Sequence, residues 1–175
     1  MTISTDPVTQ PSVAPAVDTA ADVLRHTLRR HAAGVTVITV PGPAGFTATS
    51  FTSVSLRPPL VAFHLDLGAS TAGSVQRADR FAVHLLGTGN TALARQFARS
   101  GVDRFEGVRW TREADGLPLL EDVPAWLTAR ITLRRPIGDH LLVVGEVETG
   151  EVSENAPALV HHDGAFAAAH RLPSP

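Results

Sequence analysis

Between Gly45 and Val61 the chain reads Gly-Phe-Thr-Ala-Thr-Ser-Phe-Thr-Ser-Val-Ser-Leu-Arg-Pro-Pro-Leu-Val, and no other stretch restricts the fold as tightly. It has the make-up of a strand running into a bend of small hydroxyl residues, then a double proline, then a second strand. Small side chains let a ligand come close to the main chain, and every residue except proline brings an N–H donor. Pro58 and Pro59 bring none and fix φ, so they stiffen the connection instead of extending a sheet. A flat polar ring lying against backbone suits such a segment. Composition alone favours the plainer alternative, a β-hairpin with a Ser/Thr-rich loop.

The rest of the chain supplies short strands and a few helices. Residues 1–17 are rich in Pro, Thr, Ala and Ser with no hydrophobic period, which predicts a disordered N-terminal tail. Asp18 or Thr19 caps a helix expected to run to Ala33 and to stop at Gly34, with Asp22 completing a capping box. Leu24, Leu28 and His31 share one face of that helix. Val35–Val40 is β-branched throughout and reads as a strand, followed by a Pro/Gly turn over residues 41–45. Further strands are expected over Leu60–Leu65, Phe81–Leu86, Trp126–Leu133, His140–Val152 and Leu159–Phe166. Short helices are expected over Ala72–Ala78 and, capped by Asn90, over Thr91–Arg99. Residues 101–121 read as irregular, with Arg104, Arg109 and Arg112 in solvent or reaching a ligand. Arg134 to Asp139 is expected to turn a corner, and residues 171–175 form a loose C-terminal tail. Strands that do not alternate with helices argue for one mainly β domain over residues 18–170, an antiparallel barrel with flanking helices. At 175 residues such a chain buries roughly 70% of its extended surface.

Several functions are excluded or disfavoured by composition. The formal net charge of −2 gives no electrostatic basis for nucleic-acid or anionic-membrane binding. Without cysteine there is no disulfide, thiolate nucleophile or cysteine-held metal. No apolar run approaches ~20 residues and no secretory leader pattern is visible, so a cytoplasmic protein is expected. His161 and His162 are adjacent on a strand and point to opposite faces, so no metal site is expected there. Ser50, Asp139 and His140 do not make a hydrolase triad, because Ser50 lacks a Gly-x-Ser-x-Gly elbow and neighbouring Asp and His cannot readily form the relay.

The segment Gly45–Val61 resembles the signature of the flavin reductase-like family of FMN-binding split barrels, the reductase components of two-component flavin monooxygenases. Other segments match in order and spacing: Ala33-Gly34-Val35-Thr36-Val37-Ile38-Thr39, Arg80–Leu86, Asp103-Arg104-Phe105-Glu106-Gly107-Val108 and Gly138-Asp139-His140. The likeness covers about residues 21–167, and it implies that His31, where relatives usually carry an aromatic residue, is a buried or half-buried polar substitute.

The resemblance implies an antiparallel split β-barrel of six or seven strands, a homodimer, FMN or FAD as flavin and NADH or NADPH as hydride donor. It implies that the flavin ring rests on Phe46, Thr47, Ala48, Thr49 and Ser50, with Ser55 also at the cofactor. Asp66 to Ser70 would follow the ribityl–phosphate end, with Ser70 and Thr71 as phosphate ligands. Asp139 and His140 would contact the dinucleotide. No protein nucleophile is needed, because hydride passes directly between stacked rings. The reduced flavin would then diffuse to a separate monooxygenase. Thr49, where asparagine is common, is a mild departure from the family pattern, since both can hydrogen-bond a ring edge, but three C-terminal positions depart further: His161 and Phe166 stand where tyrosine is common, and Asp163 where a basic residue is common. They motivate two alternatives, a flavin- or small-molecule-binding protein without reductase turnover, and a flavin-dependent oxidase acting directly on an organic substrate.

Overall fold

The computed structural model describes residues 19–153 and 156–172; the tail expected at residues 1–17 lies outside the described residues. The elements in chain order are α1 (Ala20–Leu28), β1 (Ala33–Gly34), β2 (Thr36–Val40), β3 (Ala44–Ala48), β4 (Thr52–Leu56), β5 (Pro59–Asp66), α2 (Ala72–Arg77), β6 (Arg80–Leu85), α3 (Thr91–Ala98), β7 (Trp110–Arg112), β8 (Pro118–Leu120), β9 (Ala125–Ile137), β10 (His140–Val152), β11 (Leu159–His162) and β12 (Ala165–Ala168). Seven strands form one antiparallel sheet in the order β3-β2-β6-β9-β10-β5-β4, and β1, β11 and β12 form a second, smaller sheet. This is a mainly β, split-barrel-like fold. No helix of the described residues is long and apolar enough to cross a membrane.

Why β2 carries no polar alternation is clear from its neighbours. All five of its residues are buried, because both of its faces are covered. Ile38 and Val40 join Phe63, Phe81, Val83 and Val143 in the barrel interior. Val37, with Val35 just before the strand, joins Phe97, Leu120 and Leu159 in a second core under α3. Its two threonines are satisfied by backbone: Thr36 Oγ1 donates to the Ala48 carbonyl at 3.0 Å and Thr39 Oγ1 to that of Pro118 at 2.6 Å.

Several expectations are corrected. The capping box forms, with Thr19 N–H donating to Asp22 Oδ2 and Asp22 N–H to Thr19 Oγ1, both at 3.2 Å. The helix ends at Leu28, however, and Gly34 lies in β1, paired with Val160. Because α1 buries none of its residues and stops before His31, that histidine is exposed. The Gly45–Val61 stretch holds two strands before the prolines, and β3 and β4 stand at opposite edges of the large sheet. Asn90 stands at the N-cap of α3 as expected, but its side chain makes no capping bond there: its Oδ1 accepts from Gly87 N–H and its Nδ2 donates to the Asp122 carbonyl. The corner expected at Arg134–Asp139 is only Gly138 and Asp139, since Ile137 already pairs with His140. Gly138 takes the left-handed φ of +60° that this tight reversal needs. Pro136 is tolerated in β9 because pairing with β6 ends at Arg130, leaving that side of the strand a free edge. The β7–β8 hairpin lies inside the stretch read as irregular.

Candidate functional site

The Thr49–Phe51 bend carries the chain from one edge of the large sheet to the other, and a cavity of about 400 Å³ opens beside it. One wall is β3 and the bend, Phe46 to Ser50. Across from it stand His64, Leu65 and Asp66 at the end of β5, with His140 at the start of β10. The loop residues Ala69, Ser70 and Thr71 close one end, together with the end of α3 and Arg104.

Strand alternation settles how β3 meets this space. Phe46 and Ala48 are buried in the barrel, Phe46 lying 5.8 Å from Phe63 between ring centroids, so they present main chain to the cavity. Thr47 points the other way, and its hydroxyl donates to the Ala94 carbonyl of α3 at 2.7 Å. As an edge strand, β3 pairs only with β2, and N–H groups directed away from β2 have no ladder partner. Ser50 Oγ accepts from His64 N–H at 3.1 Å and donates to the His64 carbonyl at 2.9 Å. The Ser50 hydroxyl thus replaces a strand pairing across the split, and the residue faces a ligand through its backbone.

The opposite wall is tied together by backbone. Asp66 Oδ1 accepts from Gly68 N–H at 2.7 Å, shaping the turn, and Leu67 N–H donates to the Asp139 carbonyl at 3.0 Å. His140 Nδ1 lies 2.6 Å from Asp139 Oδ1. That hydrogen bond holds the Asp139 carboxyl below the usual carboxylate range. His140 lines the cavity, whereas Asp139 is outside it and touches it only through its hydrogen bond to His140.

The end near α2 is different. Thr71 is 6% exposed, and its Oγ1 has no hydrogen-bond partner among the described residues and does not cap the helix. A buried hydroxyl without a partner costs about 1–3 kcal/mol, so this atom fits an acceptor such as a phosphate oxygen. Arg104 reaches the same place, donating through Nη1 to the Gly45 carbonyl at 2.7 Å and through Nη2 to Ser70 Oγ at 3.4 Å. Burial lowers its pKa. The residues present therefore fit a phosphorylated, flat-ringed ligand. Of the expected site residues, Phe46 to Ser50, Asp66, Ser70, Thr71 and His140 converge on this cavity. Ser55 does not; it lies in β4 and its Oγ accepts from Arg57 N–H. Sequence reasoning missed His64 and Phe97 and left Arg104 open between solvent and ligand. His64 could have been found as the outward position between inward Phe63 and Leu65.

The departures at the C-terminus fall elsewhere. His161 and Phe166, ring centroids 5.9 Å apart, line a separate hollow of about 610 Å³ beside Thr91 and Arg95 of α3. Asp163 is bound to Arg29 at 3.0 Å, joining the end of α1 to the β11–β12 turn. Within one chain none of the three touches the Phe46–His140 cavity.

Residues 28–170 match the flavin reductase like domain. The chain belongs to the flavin reductase-like family. This family member is 43% identical over 150 residues to the NADH:FMN oxidoreductase of Rhodococcus erythropolis, covering 81% of this chain and 78% of that one. Among solved structures it is similar to the NADH:FAD oxidoreductase of Streptomyces globisporus in complex with NAD and FAD fragments. That likeness has a TM-score of 0.81 and 36% identity, covering 90% of this chain and 98% of the other. It is also similar to the flavin reductase component of a bacterial two-component tryptophan halogenase, with a TM-score of 0.78 and 34% identity, covering 89% and 99%.

Proposed function

We propose that this flavin reductase-like protein catalyses NAD(P)H:flavin oxidoreduction, with FMN or FAD as acceptor, and releases reduced flavin to a separate monooxygenase. One observation carries the reading: a single cavity joins the edge of β3 and its unpaired amides to a phosphate-fitting end at Ser70, Thr71 and Arg104, with His140 on the wall. Bound flavin supplies the hydride acceptor at N5. The residues of this chain bind and orient it. Those amides of residues 46–50 that point away from β2 would donate to the ring edge where negative charge develops on reduction. Ser50, by bridging to the His64 backbone, ties that wall to β5. His140, held by Asp139, is placed to orient the nicotinamide half of the donor. No side chain has to form a covalent bond, because positioning two rings supplies the rate.

The same reading takes the protein to be a cytoplasmic homodimer. Leu24 and Leu28 on α1 are 58% and 54% exposed, and a helix burying no side chain against its own chain gains stability when a second copy covers it. The deciding measurement is oxidation of NADH and of NADPH by purified protein, with and without FMN, FAD or riboflavin. Turnover that saturates with added flavin is expected. Tight flavin binding with no turnover overturns the reading in favour of a binding protein or a direct oxidase.

A further inference from the structure

Away from the flavin-fitting cavity, the hollow beside α3 has the make-up of a ligand site that the reductase chemistry leaves unused. Its floor is one face of the small sheet. Leu159 stands opposite Ala168 and His161 opposite Phe166, and directly opposed residues of an antiparallel pair share a face. Thr91 and Arg95, one turn apart on α3, form the facing wall. Sites for small organic ligands span about 300–1,000 Å³ and combine apolar walls with a few polar groups. This hollow has that composition and, at about 610 Å³ against about 400 Å³, exceeds the flavin-fitting cavity in volume. The two share no lining residue; α3 gives Thr91 and Arg95 to one and Phe97 and Ala98 to the other.

Arg95 decides the class of ligand. Its guanidinium lies over the Phe166 ring, 5.7 Å from the centroid, and the His161 ring meets Phe166 edge-on at 5.9 Å. Stacking on an aromatic face holds a guanidinium in one plane and leaves its N–H groups directed outward along that plane. Among the described residues neither an ion pair nor a hydrogen bond uses those donors. No carboxylate lines the hollow, and Asp163 beside it is bound to Arg29 at 3.0 Å. A fork of free donors, held in place above an apolar floor, matches a planar bidentate acceptor carried on an apolar body. We propose that this hollow binds a small organic carboxylate with a flat apolar body. The carboxylate lies in the plane of the Arg95 guanidinium, and the body rests on Leu159, Phe166 and Ala168. One guanidinium balances one carboxylate, and the apolar floor disfavours a more highly charged ligand.

The test is calorimetric titration of the protein, with saturating FMN and without flavin, using cinnamate and its neutral isostere cinnamamide as probes. Cinnamate should bind with a Kd on the order of 1 mM or below, unchanged by FMN, and cinnamamide about tenfold more weakly. Arg95→Ala should remove that preference, and Arg95→Lys should recover only part of it, because an ammonium lacks the fork. Phe166→Leu keeps the floor apolar but frees the guanidinium, and should weaken cinnamate by about three- to tenfold. Arg95 is exposed, so its variants should fold like the wild type. All three variants should keep flavin-dependent NADH oxidation within about twofold, since none of them alters the flavin-fitting cavity. Equal binding of acid and amide, displacement of cinnamate by FMN, or an Arg95→Ala protein that still prefers the acid overturns the proposal. So does the absence of cinnamate binding at about 10 mM.

Discussion

At the scale of single residues, His84 and His140 show how two histidines with similar sequence surroundings have opposite chemistry. His84, in β6, is completely buried. Its Nε2 accepts from Leu120 N–H at 2.9 Å, which places the proton on Nδ1, 3.1 Å from the Val37 carbonyl. Burial pushes its pKa down from 6.5 to about 4. The unfolded chain therefore takes up a proton before the folded one does. Stability is complete above about pH 6.5 and falls as the pH drops toward 4, by about 3 kcal/mol over that window. Urea unfolding at several pH values should show this slope, and His84→Leu should abolish most of it while lowering stability at neutral pH by about 1–3 kcal/mol, because Leu120 N–H loses its acceptor. His140 instead lines the cavity, its ring bound among the described residues only to the neighbouring Asp139. His140→Ala should raise KM for NAD(P)H by about tenfold and change flavin affinity by less than about twofold. A collapse of flavin affinity in that variant would place His140 at the flavin instead. The role of Ser50 could not be read from residue type, since a serine in a bend serves equally as ligand contact or strand bridge. Only the approach of His64, brought alongside by the β5 register, decides that its hydroxyl is a bridge.

The scale of the element is where close packing limits sequence most severely. β10 shifts register between Val144 and Gly145, and Gly145 faces Phe81 across the barrel. A Cβ on Gly145 would lie 2.5 Å from Phe81 Cε1 and 3.0 Å from Ala129 Cβ. Phe81 is fully buried and packed edge-on against Phe63 at 5.1 Å, so its ring has no room to yield. Gly145→Ala should cost about 1–3 kcal/mol by overpacking, and thermal unfolding should show Phe81→Leu recovering part of the loss in the double variant. Strands with a continuous apolar run or steady alternation, β2, β5, β6 and β10, were legible to within a residue or so, because their own side chains carry the burial pattern. The β7–β8 hairpin was not. Its strands have three residues each, too short for any period, and they are held by contacts distant in sequence: Thr39 to the Pro118 carbonyl and His84 to Leu120. β9 ran longer than its alternation indicated because β10 continues to pair with it through Pro136.

For the whole molecule, the apolar surface that α1 presents is the feature a second copy would cover. Val23, Leu24 and Leu28 are each more than half exposed, although they follow the spacing of a helix with a buried face. Replacing Leu24 and Leu28 together by Asp should convert a dimer to a monomer in sedimentation velocity while leaving the β-sheet circular dichroism unchanged. A wild-type chain that already sediments as a monomer would refute the dimer. The same contrast marks how far sequence alone reached. Hydrophobic period, glycine and proline placement and the Gly45–Val61 signature were enough for the fold class, most of the strands and nearly all of the expected cavity lining, because these depend on local preference and on which residues must avoid water. Tertiary structure decided what depends on approach between distant segments. It set β3 and β4 at opposite edges of one sheet, removed Ser55 from the site and moved His161 and Phe166 to a different hollow. It also brought Arg104 to the end of the cavity, beside a buried threonine hydroxyl. Such neighbours are fixed by strand register and by packing across the barrel, and a one-dimensional pattern does not encode distance between residues far apart along it.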